Sequence, residues 1–415
     1  MENRCIFMYN YIGDYMEVFI ERLDNFGRGI CFIDDKICFV PNALPGENVE
    51  IDIVRSNRKF YEGEVINYIT KSSDRINPTC PYFSICGGCQ FLNMNIDKEN
   101  DFKTMKVKHL MEKIGNIDSD KVMNCITLNE FNYRNKVTLH VQDRKIGFYK
   151  EKTNELIEID NCSLLRNEIN EALPIIKNIV SNPKNDIIEV MIRCGNREDS
   201  FMIDFTGLVT DLTGLDKYFN NIYINGVCSN KQFISDIGNL RYYVSPKSFF
   251  QVNGDVVVPL YNEVLDYCTS NNCRNVLDLY CGAGTISLYI ADVVETVLGI
   301  DSCRDAIDNA NDNKKLNVVD NVEFICSKVE DYIDKLVDNY DLVVVDPPRS
   351  GLDNKTIDYL KKINSKSIIY ISCDPATLAR DLNLLKDKYN IIKIQPYNMF
   401  PKTYHVESFS ILERK

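Results

Sequence analysis

The sequence predicts an α/β chain with a small β-barrel at its N-terminus, a mixed α+β middle and a doubly wound parallel sheet at its C-terminus. Three observations carry that reading. Short β-rich runs at 17–23, 29–33, 37–40, 49–54 and 61–68 are punctuated by turn signals such as Asp34-Asp35 and Pro45-Gly46, the pattern of a small barrel. Continuous apolar, β-branched runs at 276–279, 297–300, 322–325, 342–345 and 368–371 alternate with helical stretches, as the strands of a parallel sheet covered on both faces do. A length of 415 residues allows two to three domains, each with its own core. The expected divisions are 1–70 for the barrel, 71–241 for the central part and 242–415 for the parallel sheet.

In the barrel, Arg55, Arg58, Lys59, Phe60 and Tyr61 interleave basic and aromatic groups, which suits a single-stranded RNA surface. The central part opens on Cys80, Cys86 and Cys89, spaced Cys-x5-Cys-x2-Cys, and then on a lysine-bearing helix over about 98–114, with Cys162 further along. The chain has 16 cysteines, about one residue in 26, and its start shows no export signal. The expected compartment is therefore the reducing cytoplasm, where clustered cysteines point to metal or catalysis rather than to disulfides. Four cysteines without a nearby histidine fit either a four-thiolate zinc site or an iron–sulfur cluster. His109, His140 and His405 are widely separated, which disfavours a histidine-rich metal site and a Ser/His/Asp triad. No apolar run approaches the roughly 18 residues of a membrane helix.

The C-terminal part carries the chemistry. Asp278-Leu-Tyr-Cys-Gly282-Ala-Gly284 ends one strand and opens a helix, where glycines let a ligand approach the backbone. Ser287 stands where a dinucleotide fingerprint needs its third glycine, so a nicotinamide cofactor is disfavoured. Asp278 and Asp301, at the ends of successive strands, suit a ligand with a cationic amino-acid end and a ribose diol, such as S-adenosylmethionine. Asp346-Pro-Pro-Arg349 and Ser372-Cys373-Asp374-Pro375 follow the fourth and fifth strands, and residues just past the carboxyl ends of such strands line the ligand crevice. A thiolate at Cys373 could add to C6 of a pyrimidine and make C5 nucleophilic. The C5 hydrogen must then leave as a proton, for which Glu407, on a strand expected beside the fifth, is the candidate base.

These residues resemble the RNA uracil-C5 methyltransferases that modify tRNA and 23S rRNA. Residues about 10–68 look like a TRAM domain, most recognisably at Phe39-Val-Pro-Asn-Ala-Leu-Pro-Gly46-Glu47. The Ser245–Asn253, Asp278–Gly284, Asp346–Gly351, Cys373–Pro375 and Tyr404–Glu407 motifs then follow in the family's order. The resemblance implies a class I (Rossmann-like) methyltransferase domain, S-adenosylmethionine or uracil contacts at Gln251, Tyr280, Thr285, Asp301 and Asp346, Cys373 as nucleophile and Glu407 as general base. It further implies that Cys80, Cys86, Cys89 and Cys162 hold a [4Fe-4S] cluster, with structural zinc as the alternative, and that 23S rRNA is the substrate, with tRNA as the alternative. The chain is expected to act as a monomer.

A net charge of −12 is unusual for an RNA-binding chain. Lysines 98 to 113, Arg55 to Lys59, and Arg134 with Lys136 could segregate positive charge into a track. A uracil must be single-stranded or flipped to reach Cys373. Cytosine-C5 enzymes are disfavoured because Arg349 stands where they place a second cysteine, and amino-methylating enzymes because an aromatic is missing there. A non-catalytic RNA-binding protein with an inert fold remains the rival from another class.

Overall fold

The computed structural model describes residues 15–195, 200–228, 233–246, 248–336 and 339–415. The first residues of the expected TRAM stretch and Lys247 of the Ser245–Asn253 motif lie outside them. The chain divides into two units: 1–99 with 402–404, and 100–401 with 405–415.

The first unit is built on a six-stranded sheet, in spatial order Met16–Phe19, Asn48–Ser56, Phe60–Thr70, Lys36–Val40, Gly29–Ile33 and Arg22–Leu23. The run expected at 17–23 is two strands, interrupted at Ile20 and Glu21, where Ile20 N–H bonds to the Glu47 carbonyl (2.9 Å). Val18, Ile20, Cys31, Ile33, Cys38, Val40, Val49 and Ile51 form the core, every second residue pointing inward. Glu47 is fully buried. Its carboxylate accepts from Leu44 N (2.7 Å), Ser72 N (3.2 Å) and Arg75 Nη2 (2.7 Å), and so fixes the Pro45-Gly46 turn. Arg75 also stacks 4.3 Å from the centre of the Tyr68 ring.

The same unit contains Lys402, which is fully buried, with φ of 68°. Its N–H donates to Glu99 Oε1 (2.9 Å), its ammonium lies 3.7 Å from Glu99 Oε2, and its carbonyl accepts from Gln90 N (2.9 Å) and Phe91 N (3.0 Å). Phe26 meets Tyr404 edge-on at 5.5 Å.

In the second unit, a seven-stranded sheet runs Val227–Cys228, Asn221–Ile224, Phe201–Leu208, Asp186–Cys194, Lys136–Gln142, Lys145–Tyr149 and Leu156–Glu158. The helix Asn167–Ser181 buries Ile169, Ala172, Leu173, Ile176, Ile179 and Val180, one stripe at helical spacing.

The C-terminal sheet also has seven strands: β1 (Asn275–Leu279), β2 (Thr296–Asp301), β3 (Val322–Cys326), β4 (Leu342–Val345), β5 (Ser367–Ser372), β6 (Tyr389–Tyr397) and β7 (Glu407–Arg414). Their spatial order is β3-β2-β1-β4-β5-β7-β6. Strands β1 to β5 are parallel, and β7 lies antiparallel between β5 and β6. Alternate residues feed two cores. Val276, Val344, Ile369 and Phe409 pack on one face and Leu277, Val343, Val345, Ile368 and Tyr370 on the other, which is why these strands read as unbroken apolar runs. The order reverses between β1 and β4, and the carboxyl ends at such a reversal are where open α/β sheets hold their ligands.

Candidate active site

The loop after β1 is shaped for close approach. Tyr280 has φ of 66°, and Tyr280 N (2.8 Å) and Cys281 N (3.1 Å) both donate to Ile300 O, turning the chain across β2. A Cβ on Gly284 would come within 2.4 Å of the Phe324 ring, whereas one on Gly282 would meet no atom within 4 Å. Gly282 thus borders open space that a ligand can fill. Asp301 Oδ2 accepts from Gly282 N (3.0 Å) and Oδ1 from Cys303 N (2.7 Å), so its carboxylate is aimed before anything binds. Asp278 is fully buried: Oδ2 accepts from Ser287 Oγ (2.5 Å) and Oδ1 has no partner. Burial pushes its carboxyl up to about 7.

Asp346 follows β4 with its N–H bonded to Leu279 O (3.3 Å). Desolvation, then the charge of Asp278, pushes it up to about 7. Glu407 opens β7 and is 5% exposed. Burial, then Asp346, lifts its pKa well above the ordinary range, so it is a stronger base than a surface glutamate. Two neighbouring acids of this kind titrate as a pair.

The register of β5 and β7 pairs Ser372 with Ser408, which brings Cys373, one residue past β5, beside Glu407, one residue before Ser408. Cys373 is half-buried. Burial first, then the carboxylates of Glu407 and Asp346, push its thiol up to about 11, while the charge of the Arg349 guanidinium pulls the other way. Asp374 caps the next helix, accepting from Ala376 N (2.9 Å) and Thr377 N (3.0 Å), and so holds the cysteine at the strand end. Arg349 is a site residue that the sequence gives only as evidence against other enzymes. His405 is held down to about 4, by burial first and then by the charges of Arg349, Lys106, Lys103 and Arg134. It is neutral at physiological pH, within a cationic neighbourhood.

Of the remaining expected contacts, Thr285 turns its hydroxyl to Tyr261 (2.8 Å) and its carbonyl to Tyr242 (3.1 Å). Tyr261 in turn feels the charges of Asp346, Asp278 and Glu407, so three carboxylates surround one part of the crevice. Such a setting favours a cationic ligand. Tyr280 packs against the apolar core, and burial raises its phenol to about 12. Gln251 is joined to the central sheet: its carbonyl accepts from Asn135 Nδ2 (3.2 Å), and Val252 O accepts from Asn135 N (2.9 Å). Phe249, two residues earlier, is 75% exposed. The expected basic track is thinner than its sequence. Lys103 is fully buried, donating to Asn398 Oδ1 (2.5 Å) and Phe400 O (3.2 Å). Lys136 is half-buried with Nζ on Pro246 O (3.3 Å), and desolvation, then Arg193 and Arg134, lowers it to about 8.

Cys80, Cys86 and Cys89 are half-buried on one loop of the first unit. That loop turns at Gly87, with φ of 66°, and at Gly88, where a Cβ would come within 3.3 Å of Cys86 Sγ. Cys162 belongs to the second unit. The donor set has the chemistry of a thiolate-bound group, but among the described residues no three His, Cys, Asp or Glu side chains stand together as a metal site.

Comparison with known proteins decides the family. The family described as tRNA (Uracil-5-)-methyltransferase matches residues 227–415, and the TRAM domain matches residues 10–66. An uncharacterized RNA methyltransferase of Clostridium acetobutylicum is 34% identical over 97% of this chain and 97% of its own length. The chain belongs to the RNA (uracil-C5)-methyltransferase family. A second relative, from Caldanaerobacter subterraneus, is also 34% identical and carries the same description, over 97% of this chain and 99% of its own. Among solved structures, the tRNA (uracil-54, C5)-methyltransferase of Pyrococcus abyssi, in complex with S-adenosyl-L-homocysteine, superposes with a TM-score of 0.78 at 26% identity, covering 95% of this chain and 99% of that one. This RNA (uracil-C5)-methyltransferase uses S-adenosylmethionine, and its crevice at the ends of β1, β2 and β4 has the open glycine border and acidic surround that a sulfonium donor requires.

Proposed function

We propose that this methyltransferase acts through a covalent adduct on a uridine of 23S rRNA, with Cys373 as nucleophile and Glu407 as general base. The observation that carries the reading is the β5–β7 register, which sets a thiol and a buried, basic carboxylate side by side. Deprotonated Cys373 adds through Sγ to C6 of the uracil, and the C5=C6 electrons pass to C5 and O4. Gln251, Asp301, Asp346 and the backbone around Tyr280 and Thr285 would hold S-adenosylmethionine, whose sulfonium would supply the methyl group to C5, with S-adenosylhomocysteine as the other product. Glu407 takes the C5 proton, the C5=C6 bond re-forms and the Cys373 thiolate is expelled. RNA carrying 5-fluorouridine cannot lose a proton from C5, so it should leave a denaturation-resistant adduct that is absent in Cys373→Ala. Absence of any adduct in the unaltered enzyme would overturn the mechanism.

A TRAM domain together with the four cysteines supports the ribosomal substrate, while the tRNA activity named for the Pyrococcus enzyme supports the alternative. Mapping 5-methyluridine in a strain lacking the protein separates them: loss from 23S rRNA is expected, and loss from tRNA alone would overturn the choice. We further infer that Cys80, Cys86, Cys89 and Cys162 hold a [4Fe-4S] cluster. It would brace the fold, because a polar methyl transfer needs no electron. Purified protein should contain about four iron and four labile sulfide per chain, and about one zinc without sulfide would refute the assignment.

A further inference from the structure

Asn135, which holds Gln251 O, also lines a cleft of ≈ 350 Å³ within the second unit, whose lining includes none of Asp301, Asp346, Cys373 or Glu407. Asn135 forms part of its wall and is 4% exposed. Its Nδ2 donates to Gln251 O, but its Oδ1 has no hydrogen-bond partner. A buried acceptor left in this state is unfavourable, and a ligand N–H seated against the Asn135 wall would satisfy it. Two long helices begin at the same cleft: Asn167–Ser181, with Asn167 and Glu168 on the wall, and Gly254–Ser270, with Gly254 and Asp255. Arg166 completes it, with Nη2 on Glu168 Oε1 (2.6 Å) and Nη1 on Gly195 O (3.3 Å).

The mixture of groups narrows the ligand. A lining this polar does not suit an apolar molecule. Two carboxylates oppose a simple anion, while Arg166 and two helix N-termini oppose a simple cation. What fits is a neutral, planar group with donors and acceptors on different edges. Guanine presents N1–H and N2–H₂ donors to a carboxylate or an amide oxygen, and O6 and N7 acceptors to a guanidinium. The volume lies at the lower end of the roughly 300–1,000 Å³ of ligand sites, the size of one nucleotide.

We propose that this cleft binds a guanine of the substrate RNA, a second base pocket through which the enzyme selects the sequence context of its uridine. The proposal rests on RNA as the substrate class and not on the roles given to Cys373 and Glu407. A free guanine nucleotide would use the same contacts, so the test separates the two sources. GMP, AMP, CMP and UMP are titrated into the full chain by calorimetry, and each is added to methylation assays at varied RNA concentration. The expected result is binding of GMP in preference to the other three, competitive with RNA, weakened at least fivefold in Glu168→Gln and in Asp255→Asn, with S-adenosylmethionine affinity changed less than twofold. Both positions are exposed, so the variants should fold. The proposal is overturned if no nucleotide is preferred, if the preference survives both variants, or if GMP binds without competing with RNA, which would mark a free-nucleotide site. Trapping with 5-fluorouridine RNA in the same preparations keeps the outcomes distinct: protein that forms the adduct yet ignores GMP refutes this pocket alone.

Discussion

Removing the guanidinium of Arg349 tests whether the electrostatics at Cys373 govern the reaction. With the thiol at about 11, the thiolate is about one part in ten thousand at pH 7, so methyl transfer should gain rate as pH rises toward that value. The charge of Arg349 favours the ionised form of the sulfur. A nearby opposite charge is worth about one to three pKa units. Arg349 is exposed, and solvent screening brings the expected effect to about one unit. Arg349→Ala should therefore lower kcat/KM for RNA about tenfold at pH 7 and move the rising limb of the pH–rate profile about one unit upward, while Arg349→Lys retains part of the effect. The assay is methyl transfer at saturating S-adenosylmethionine from pH 6 to 10, with the rate of adduct formation on 5-fluorouridine RNA as a second readout. A profile left in place, with only KM for RNA raised, would show that Arg349 serves phosphate binding and that the thiol is activated by something else.

Glu407→Gln should still methylate but fail to release: adduct with ordinary uridine RNA should accumulate on denaturing gels, and turnover should fall by about 10²–10⁴. Asp278 gives a stability signature. Its folded pKa is raised to about 7, so the folded state holds the proton more tightly than the unfolded chain. The resulting stability is complete below the ordinary aspartate value near 4 and is lost as pH rises to about 7, with an upper bound of ~4 kcal/mol. Thermal melts of Asp278→Asn should lack this decline, and a difference between wild type and variant that does not change with pH would contradict it. Gly284→Ala combines φ of 74° with a Cβ 2.4 Å from the Phe324 ring and should destabilise by about 1–3 kcal/mol in denaturant titrations. Gly282→Ala takes on the backbone strain of φ 53° but meets no atom within 4 Å, so it should cost stability by only about 1 kcal/mol, less than Gly284→Ala, and weaken S-adenosylmethionine binding in calorimetry.

The strands that position the chemistry could be read because each is buried on both faces. Leu342 to Val345 has no polar residue to break the run, and the motif turns at Asp346 and Cys373 follow such runs directly. Strand β6 escapes that reading. Lys393, a register shift after Ile391 and Pro396 break its pattern, and it is held in place by β7, which follows it in the chain. Arg349 could not be recognised as the partner of Cys373 because the contact joins two loops 24 residues apart in sequence and depends on the β4–β5 pairing. Lys103 shows the opposite error. Its place in a lysine-rich helix suggests a solvated face, yet Asn398 and Phe400 O take its ammonium inside the fold. The order of the central sheet was hidden for another reason: its one parallel pairing, Met202 with Asn221, crosses an irregular stretch that leaves no periodic trace.

The three residues from Lys402 to Tyr404 give the N-terminal unit a place within the last fourteen residues of the chain. Lys402 stands five positions ahead of Glu407, and its ammonium and backbone are satisfied by Glu99, Gln90 and Phe91. A shortened protein starting at residue 100 would take away Glu99, Gln90 and Phe91 together, and with them every partner named here for that lysine, five positions ahead of Glu407. Trimming the front portion therefore alters the stretch that leads into β7, and a homologue that dispenses with that portion must hold this stretch by different means.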